Sequence, residues 1–185
     1  LSNKAKKRGF IFENLSYDYE LIVNNSKKNT KRLKSGLTSL LSKKNIDIFH
    51  GLASFNSSNE LNINEDGKEM NITCDKIIIS TGSKPFFPKD LKPNGKRIID
   101  SDFVLNSKSL PESVCIIGGG YIGIEFAYLY SSFGVEVTIV ESSESILGFV
   151  DKEIVDELRK NFTKRGITIY ESVSYTHLTL PTSHN

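Results

Sequence analysis

Three glycines in this chain have the spacing of a phosphate cradle. Val114–Ile117 is an apolar run of strand length, and Gly118-Gly119-Gly120-Tyr121-Ile122-Gly123 follows it at once. Gly118 would permit the sharp turn out of the strand. Gly120 would let a pyrophosphate approach the backbone, and Gly123 would let the next helix pack closely on the sheet. The first turn of that helix then offers unpaired N–H groups and a positive dipole end to an anion. Glu141 ends the next apolar run, 23 residues after Gly118. A carboxylate there would accept the ribose hydroxyls of a dinucleotide and repel a 2′-phosphate, which favours NAD over NADP. The other reading of Glu141 is an exposed loop acid.

The elements that would position these residues flank them. Residues 121–132 read as an apolar helix ended by Gly134, and Val135–Val140 as a second strand. Asp151 is placed to cap a further helix with Ile154, Val155, Leu158 and Phe162 on one face. Gly166 would end it, and Ile167–Tyr170 would begin another strand. A β-α-β-α-β order predicts a parallel sheet with helical crossovers.

Residues before 111 are less patterned. Lys4–Arg8 resembles a helix end, and Phe10–Ile11 a short extended piece. Over residues 20–44, Leu33, Leu37, Leu40 and Leu41 fall on one helical face with lysines opposite; Gly36 interrupts the pattern without ending it. Ile46–His50 reads as a β segment, followed by the small-residue turn Gly51-Leu52-Ala53. Leu61–Ile63 and Met70–Cys74 flank Glu65-Asp66-Gly67, a hairpin signal. The isoleucine run in Lys76–Ser80 suits a buried strand stopping at Thr81-Gly82-Ser83. Pro85, Pro88 and Pro93 mark an extended connector.

Composition excludes several classes. No apolar run in the 185 residues approaches the roughly 18 needed to span a bilayer. Residues 1–44 carry eleven Lys/Arg against three Asp/Glu. With no stacking motif or zinc spacing nearby, this reads as a solvated helix face rather than a nucleic-acid arm. Cys74 and Cys115 lie 41 residues apart, too far for a CxxC or CxxxxC pair, and read as packing residues. Three histidines leave little for a metal site or a Ser/His/Asp triad. Residues 173–182, VSYTHLTLPT, resemble a translated sequencing-library adapter, so residues 172–185 are expected to be a non-native tail.

Two motifs then coincide: KIIISTG at Lys76–Gly82 and GGGYIGIE at Gly118–Glu125, with Gly82 and Gly118 36 residues apart across the proline-rich connector. Together they resemble the pyridine-nucleotide disulfide oxidoreductases, over about residues 1–171. The resemblance implies an α/β two-dinucleotide-domain flavoprotein, with a Rossmann-like parallel NAD domain inserted into the FAD domain. Residues 1–110 would be a partial FAD domain and 111–171 a partial NAD domain.

By the same resemblance, Gly51, Ala53, Thr81, Gly82 and Ser83 would meet FAD. The other reading of Gly51 and Ala53 is a plain strand-end turn. Gly118, Gly119, Gly120, Tyr121, Ile122 and Gly123 would meet NAD, with Glu141 on its ribose and Glu125 near the nicotinamide. Tyr121 would be either a lid over the flavin or a packing residue. Ser80 stands where the family more often has Ala.

The stretch SLPESVCIIGGGYIGIEFAYLYSSFGVEVTIVE most resembles the lipoamide-oxidising branch. It implies dihydrolipoamide on a lipoyl-bearing protein as donor, a homodimer, and a cytoplasmic or mitochondrial-matrix setting, with no nucleic-acid or membrane partner. NADH oxidases and coenzyme A disulfide reductases are the nearest alternative, and a non-catalytic dinucleotide-binding module is one from another class. The family's redox CxxxxC and first FAD glycine loop are expected before Leu1, and its His–Glu pair and dimer interface after Glu171. No catalytic residue is therefore expected in this chain, which by itself would be inactive.

Overall fold

The computed structural model describes residues 16–88 and 91–173. Expectations for Lys4–Arg8, Phe10–Ile11 and residues 174–185 lie outside them. In chain order the elements are α1 (Tyr19–Lys43), β1 (Leu52–Phe55), β2 (Glu60–Glu65), β3 (Lys68–Thr73), α2 (Ser101–Asn106), β4 (Ser113–Ile117), α3 (Tyr121–Ser132), β5 (Glu136–Val140), α4 (Lys152–Lys164) and β6 (Thr168–Tyr170). The described residues of Leu1–Val23 and Ser101–Asn185 form one compact unit, and those of Asn24–Asp100 another.

The first unit is built on the parallel sheet β4-β5-β6. Ile116 pairs with Ile139, and Val140 with Tyr170. The core gathers on this sheet and its helices: Val137, Ile139 and Val140 of β5 are buried, as are Ala127 and Tyr130 of α3 and Val155 and Phe162 of α4. Each of the buried Val, Ile and Phe side chains contributes about 1.5–3 kcal/mol by leaving water. β5 has a strand on each side, whereas β4 has a sheet neighbour on one side only among the described residues. Cys115 and Ile117 are exposed, which corrects the expectation of Cys115 as a packing residue.

Helices α3 and α4 end as the glycines predict. After α3, Gly134 takes φ +83°, its N–H donates to Ser131 O and that of Val135 to Tyr130 O. After α4, Gly166 takes φ +80°, and the N–H groups of Gly166 and Ile167 donate to Thr163 O and Phe162 O. These are Schellman closures, in which glycine adopts the left-handed conformation at no steric cost. Val155 and Phe162 are buried as expected, but Ile154 is exposed. Asp151 holds the N-cap position of α4 without a side-chain capping bond. Asp18 does cap α1, its Oδ1 accepting Leu21 N–H at 2.9 Å. Tyr17 and Tyr19 stack edgewise on Phe133, and Lys108 pairs with Glu20 at 2.7 Å.

The second unit holds the antiparallel meander β1-β2-β3. Asp66 (φ 51°) and Gly67 (φ 85°) form the two-residue turn joining Glu65 to its partner Lys68. Positive φ at both positions matches the right-handed twist of the strands. Ile46–His50 is not a strand. Lys76–Ser80 is not one either, and Ile78 is 90% exposed. An apolar run becomes a buried parallel strand only when neighbours supply a ladder, and no described strand pairs with this one. Leu33, Leu37 and Leu40 on α1 are likewise exposed. The lysines at 27, 28, 31 and 34 are exposed too.

Candidate dinucleotide site

The parallel sheet presents the carboxyl ends of β4 and β5 side by side. Gly118 leaves β4 with φ +104°, and its N–H donates to Val140 O at 2.9 Å. The turn therefore needs glycine for its conformation, and the last residue of β5 anchors it. At Gly123 the reason is contact. A Cβ there would collide with the Gly118 carbonyl and press on Ile116. At Gly120 it is neither, since a Cβ would project into open space. That opening leaves the backbone accessible to a ligand from outside.

Helix α3 begins immediately behind this opening. Gly120 is its N-cap, with no side-chain capping bond, and Gly120 O accepts Ile124 N–H at 3.0 Å. The N–H groups of Tyr121, Ile122 and Gly123 precede the helical ladder and have no carbonyl one turn back. Three convergent donors at the positive end of a twelve-residue helix suit a pyrophosphate. Tyr121 and Ile122 are exposed at the same mouth, and Glu125 is exposed in the next turn. The residues present fit a bound dinucleotide.

Glu141 reaches this loop directly. Its Oε2 accepts Gly119 N–H at 2.6 Å, while Oε1 accepts Ser143 N–H at 2.7 Å and Ser142 Oγ–H at 3.3 Å. Burial disfavours its charge, but the Ser143 and Gly119 N–H groups more than offset this, and the carboxyl lies below its ordinary range. Glu141 is thus half-buried and locked onto the glycine loop.

Several residues in this construction carry no sequence signal. Leu147 (φ 49°) donates its N–H to Gly119 O at 2.9 Å. Ile146, fully buried, fills the space that a Gly119 side chain would need; a Cβ there would lie 2.5 Å from Ile146 Cγ2. Glu171 and Arg159 hold the same segment through Ile146 N–H and Ser145 Oγ. Nothing in their spacing along the chain points to a common site.

The residues expected to meet FAD lie in the second unit and are all exposed. Gly51, at φ +138°, needs glycine because a Cβ would lie 2.6 Å from Asn64 O on the paired strand β2. The close pairing with β2 by itself requires glycine there. Ala53 is in β1, opposite Ile63. Thr81, Gly82 (φ 73°) and Ser83 form an open stretch outside any strand. Both cysteines are free.

The family pattern described as pyridine nucleotide-disulphide oxidoreductase matches residues 2–180. This chain belongs to that family. The dihydrolipoyl dehydrogenase of Chlorobaculum parvum is 33% identical over 170 residues, covering 91% of this chain and 36% of that protein. The soluble pyridine nucleotide transhydrogenase of Pseudomonas savastanoi pv. phaseolicola is 31% identical, covering 92% and 36%. Among solved structures, the HOCl-induced flavoprotein disulfide reductase RclA of Escherichia coli superposes with a TM-score of 0.73 at 30% identity, over 85% of this chain and 36% of that one. LpdA of Mycobacterium tuberculosis, at 22% identity, shares the fold with a TM-score of 0.82 over 92% of this chain and 38% of that one. The chain therefore spans about 36% of the length of the curated relatives it matches. FAD and NAD are the cofactors of the family, and the α/β fold with its parallel Rossmann-like sheet is that of its flavoprotein reductases.

Proposed function

We propose that residues 118–123 and Glu141 bind NAD, and that Gly51, Ala53 and Thr81–Ser83 lie against FAD, in a dihydrolipoyl dehydrogenase. The observation that carries the first part is the uncapped start of α3 facing the open Gly120, with Glu141 clasped to the adjoining Gly119. The N–H groups of Tyr121, Ile122 and Gly123 hold the pyrophosphate. Glu141 keeps a lone pair on Oε2 for a ribose hydroxyl, and exchanging its bond from Ser142 would admit the second. Its negative charge opposes a 2′-phosphate. Glu125, one turn along α3, faces the nicotinamide end, and Tyr121 covers the mouth. The bound cofactors supply hydride transfer, and this chain binds and orients them.

The donor in this reading is dihydrolipoamide on a lipoyl-bearing protein, the active protein is a homodimer, and its setting is cytoplasmic. The dihydrolipoyl dehydrogenases among the relatives support it. RclA and the transhydrogenase favour a second reading, another NAD(P)H-linked reductase of the same family. NADH oxidase or coenzyme A disulfide reductase activity falls within that second reading. The deciding experiment supplies the product of the complete coding sequence with dihydrolipoamide and NAD⁺ and follows NADH formation. Turnover supports the first reading. Oxidation of NADH by dioxygen or coenzyme A disulfide, without turnover of dihydrolipoamide, moves the assignment to the second.

A further inference from the structure

The segment joining β5 to α4 is held by a cluster that neither the glycine spacing nor the ribose contact explains. Glu171, just past β6, accepts two hydrogen bonds on the same oxygen. Ile146 N–H donates to its Oε1 at 2.7 Å, and Arg159 Nη2 donates to it at 2.7 Å. Arg159, on α4, also donates Nη1 to Asp156 Oδ1 at 2.6 Å and Nη2 to Ser145 Oγ at 3.2 Å. Its Nε is buried without a partner, so the guanidinium is oriented by what its two ends hold. Ile146 is fully buried and packs where Gly119 has no side chain. The next residue, Leu147, hydrogen-bonds Gly119 O at 2.9 Å. A continuous line of contacts runs from Arg159 through Glu171 and Ile146 to Gly119.

We propose that Arg159 and Glu171 are positioning residues for the dinucleotide loop, fixing Ile146 and Leu147 so that the Gly119 peptide stays set beside the first turn of α3. This rests on the reading of residues 118–123 as the NAD site. An ion pair in water contributes little by itself. Glu171 differs because its carboxylate also satisfies a backbone N–H whose loss would leave a donor unpaired beneath the loop. Gly119 is then gripped on both sides of its peptide units. Glu141 takes its N–H, and Leu147 supplies the bond to its carbonyl. Looseness at Glu171 would pass to the donors that meet the pyrophosphate, although neither Glu171 nor Arg159 touches the ligand.

Calorimetric titration of the full chain with NADH tests this, using Glu171→Leu, Glu171→Gln and Arg159→Met. The glutamine amide oxygen can still accept from both Ile146 and Arg159, so Glu171→Gln is the conservative control. Expected is a Kd raised about tenfold in Glu171→Leu and Arg159→Met, with the number of sites per chain unchanged, while Glu171→Gln stays within about threefold of the parent. Partial unfolding would lower the number of sites and leave the remaining affinity intact. Unchanged affinity in Glu171→Leu, or a loss confined to the number of sites, overturns the proposal and leaves the NAD reading standing. A parent chain that fails to bind NADH overturns both.

Discussion

The Glu141 carboxylate accepts the backbone N–H of Gly119 at 2.6 Å, bridging the end of β5 to the turn that leaves β4. One side chain thereby fixes the glycine loop and, in our reading, meets the ribose. Replacing it with alanine should remove both effects. Hydrogen bonds to charged groups contribute about 1.5–3 kcal/mol, so Glu141→Ala should weaken NADH binding by roughly 10- to 100-fold. Discrimination against NADPH should shrink at the same time. Titration of the variant with both nucleotides measures each effect.

The glycines of the loop should separate by cause. Gly123→Ala places a Cβ against the Gly118 carbonyl, and overpacking of this kind costs about 1–3 kcal/mol. Gly120→Ala meets nothing in the protein, so thermal stability should hold while NADH affinity falls. Melting curves beside titrations of the two variants distinguish them. Equal destabilisation by both would contradict the assignment of Gly120 to ligand approach.

Acid should loosen this region in a defined direction. Burial disfavours the charge on Glu141 and on Glu171, but the N–H groups on Glu141 and the Arg159 guanidinium on Glu171 outweigh it, so both carboxyls lie below the ordinary 4.5. Because the folded pKa values are depressed, the stabilisation is fully present above 4.5 and is lost as pH falls through them. Urea unfolding measured from pH 6 downward should show stability falling below that value. The fall should be shallower in a Glu141→Gln, Glu171→Gln double variant.

The core should respond according to burial rather than apolar character. Phe162, 2% exposed, should cost about 3–5 kcal/mol as alanine, in keeping with large-to-small replacement in a packed core. Ile154, on the same helix and 60% exposed, should change stability by no more than about 0.5 kcal/mol. Denaturant midpoints of the two variants report the difference.

Residues 113–170 were legible because each local signal there agrees with the next. Strand-length apolar runs, a glycine turn, an amphipathic α4 and glycine stops at 134 and 166 all point to one parallel sheet. The Asp66-Gly67 turn was legible for the same reason, since two residues set their own conformation. Lys76–Ser80 misled because hydrophobicity records a need for burial but not the presence of neighbouring strands. On α1, Leu33, Leu37 and Leu40 share a face correctly but lie open. Of the candidate site, the turn at Gly118, the close packing at Gly123 and the open approach at Gly120 were legible, because each follows from what glycine lacks. Ile146, Arg159 and Glu171 were not, because contacts across 25 and 12 residues leave no periodic trace.

In our reading, residues 118–123 and Glu141 form a site for NAD. The most direct test is parallel titration of the chain with NADH and NADPH under one buffer and salt condition. A carboxylate facing a 2′-phosphate carries a like-charge penalty of several kcal/mol, so NADH should bind at least about tenfold more tightly. NADPH binding as tightly as NADH, or more so, would contradict the account.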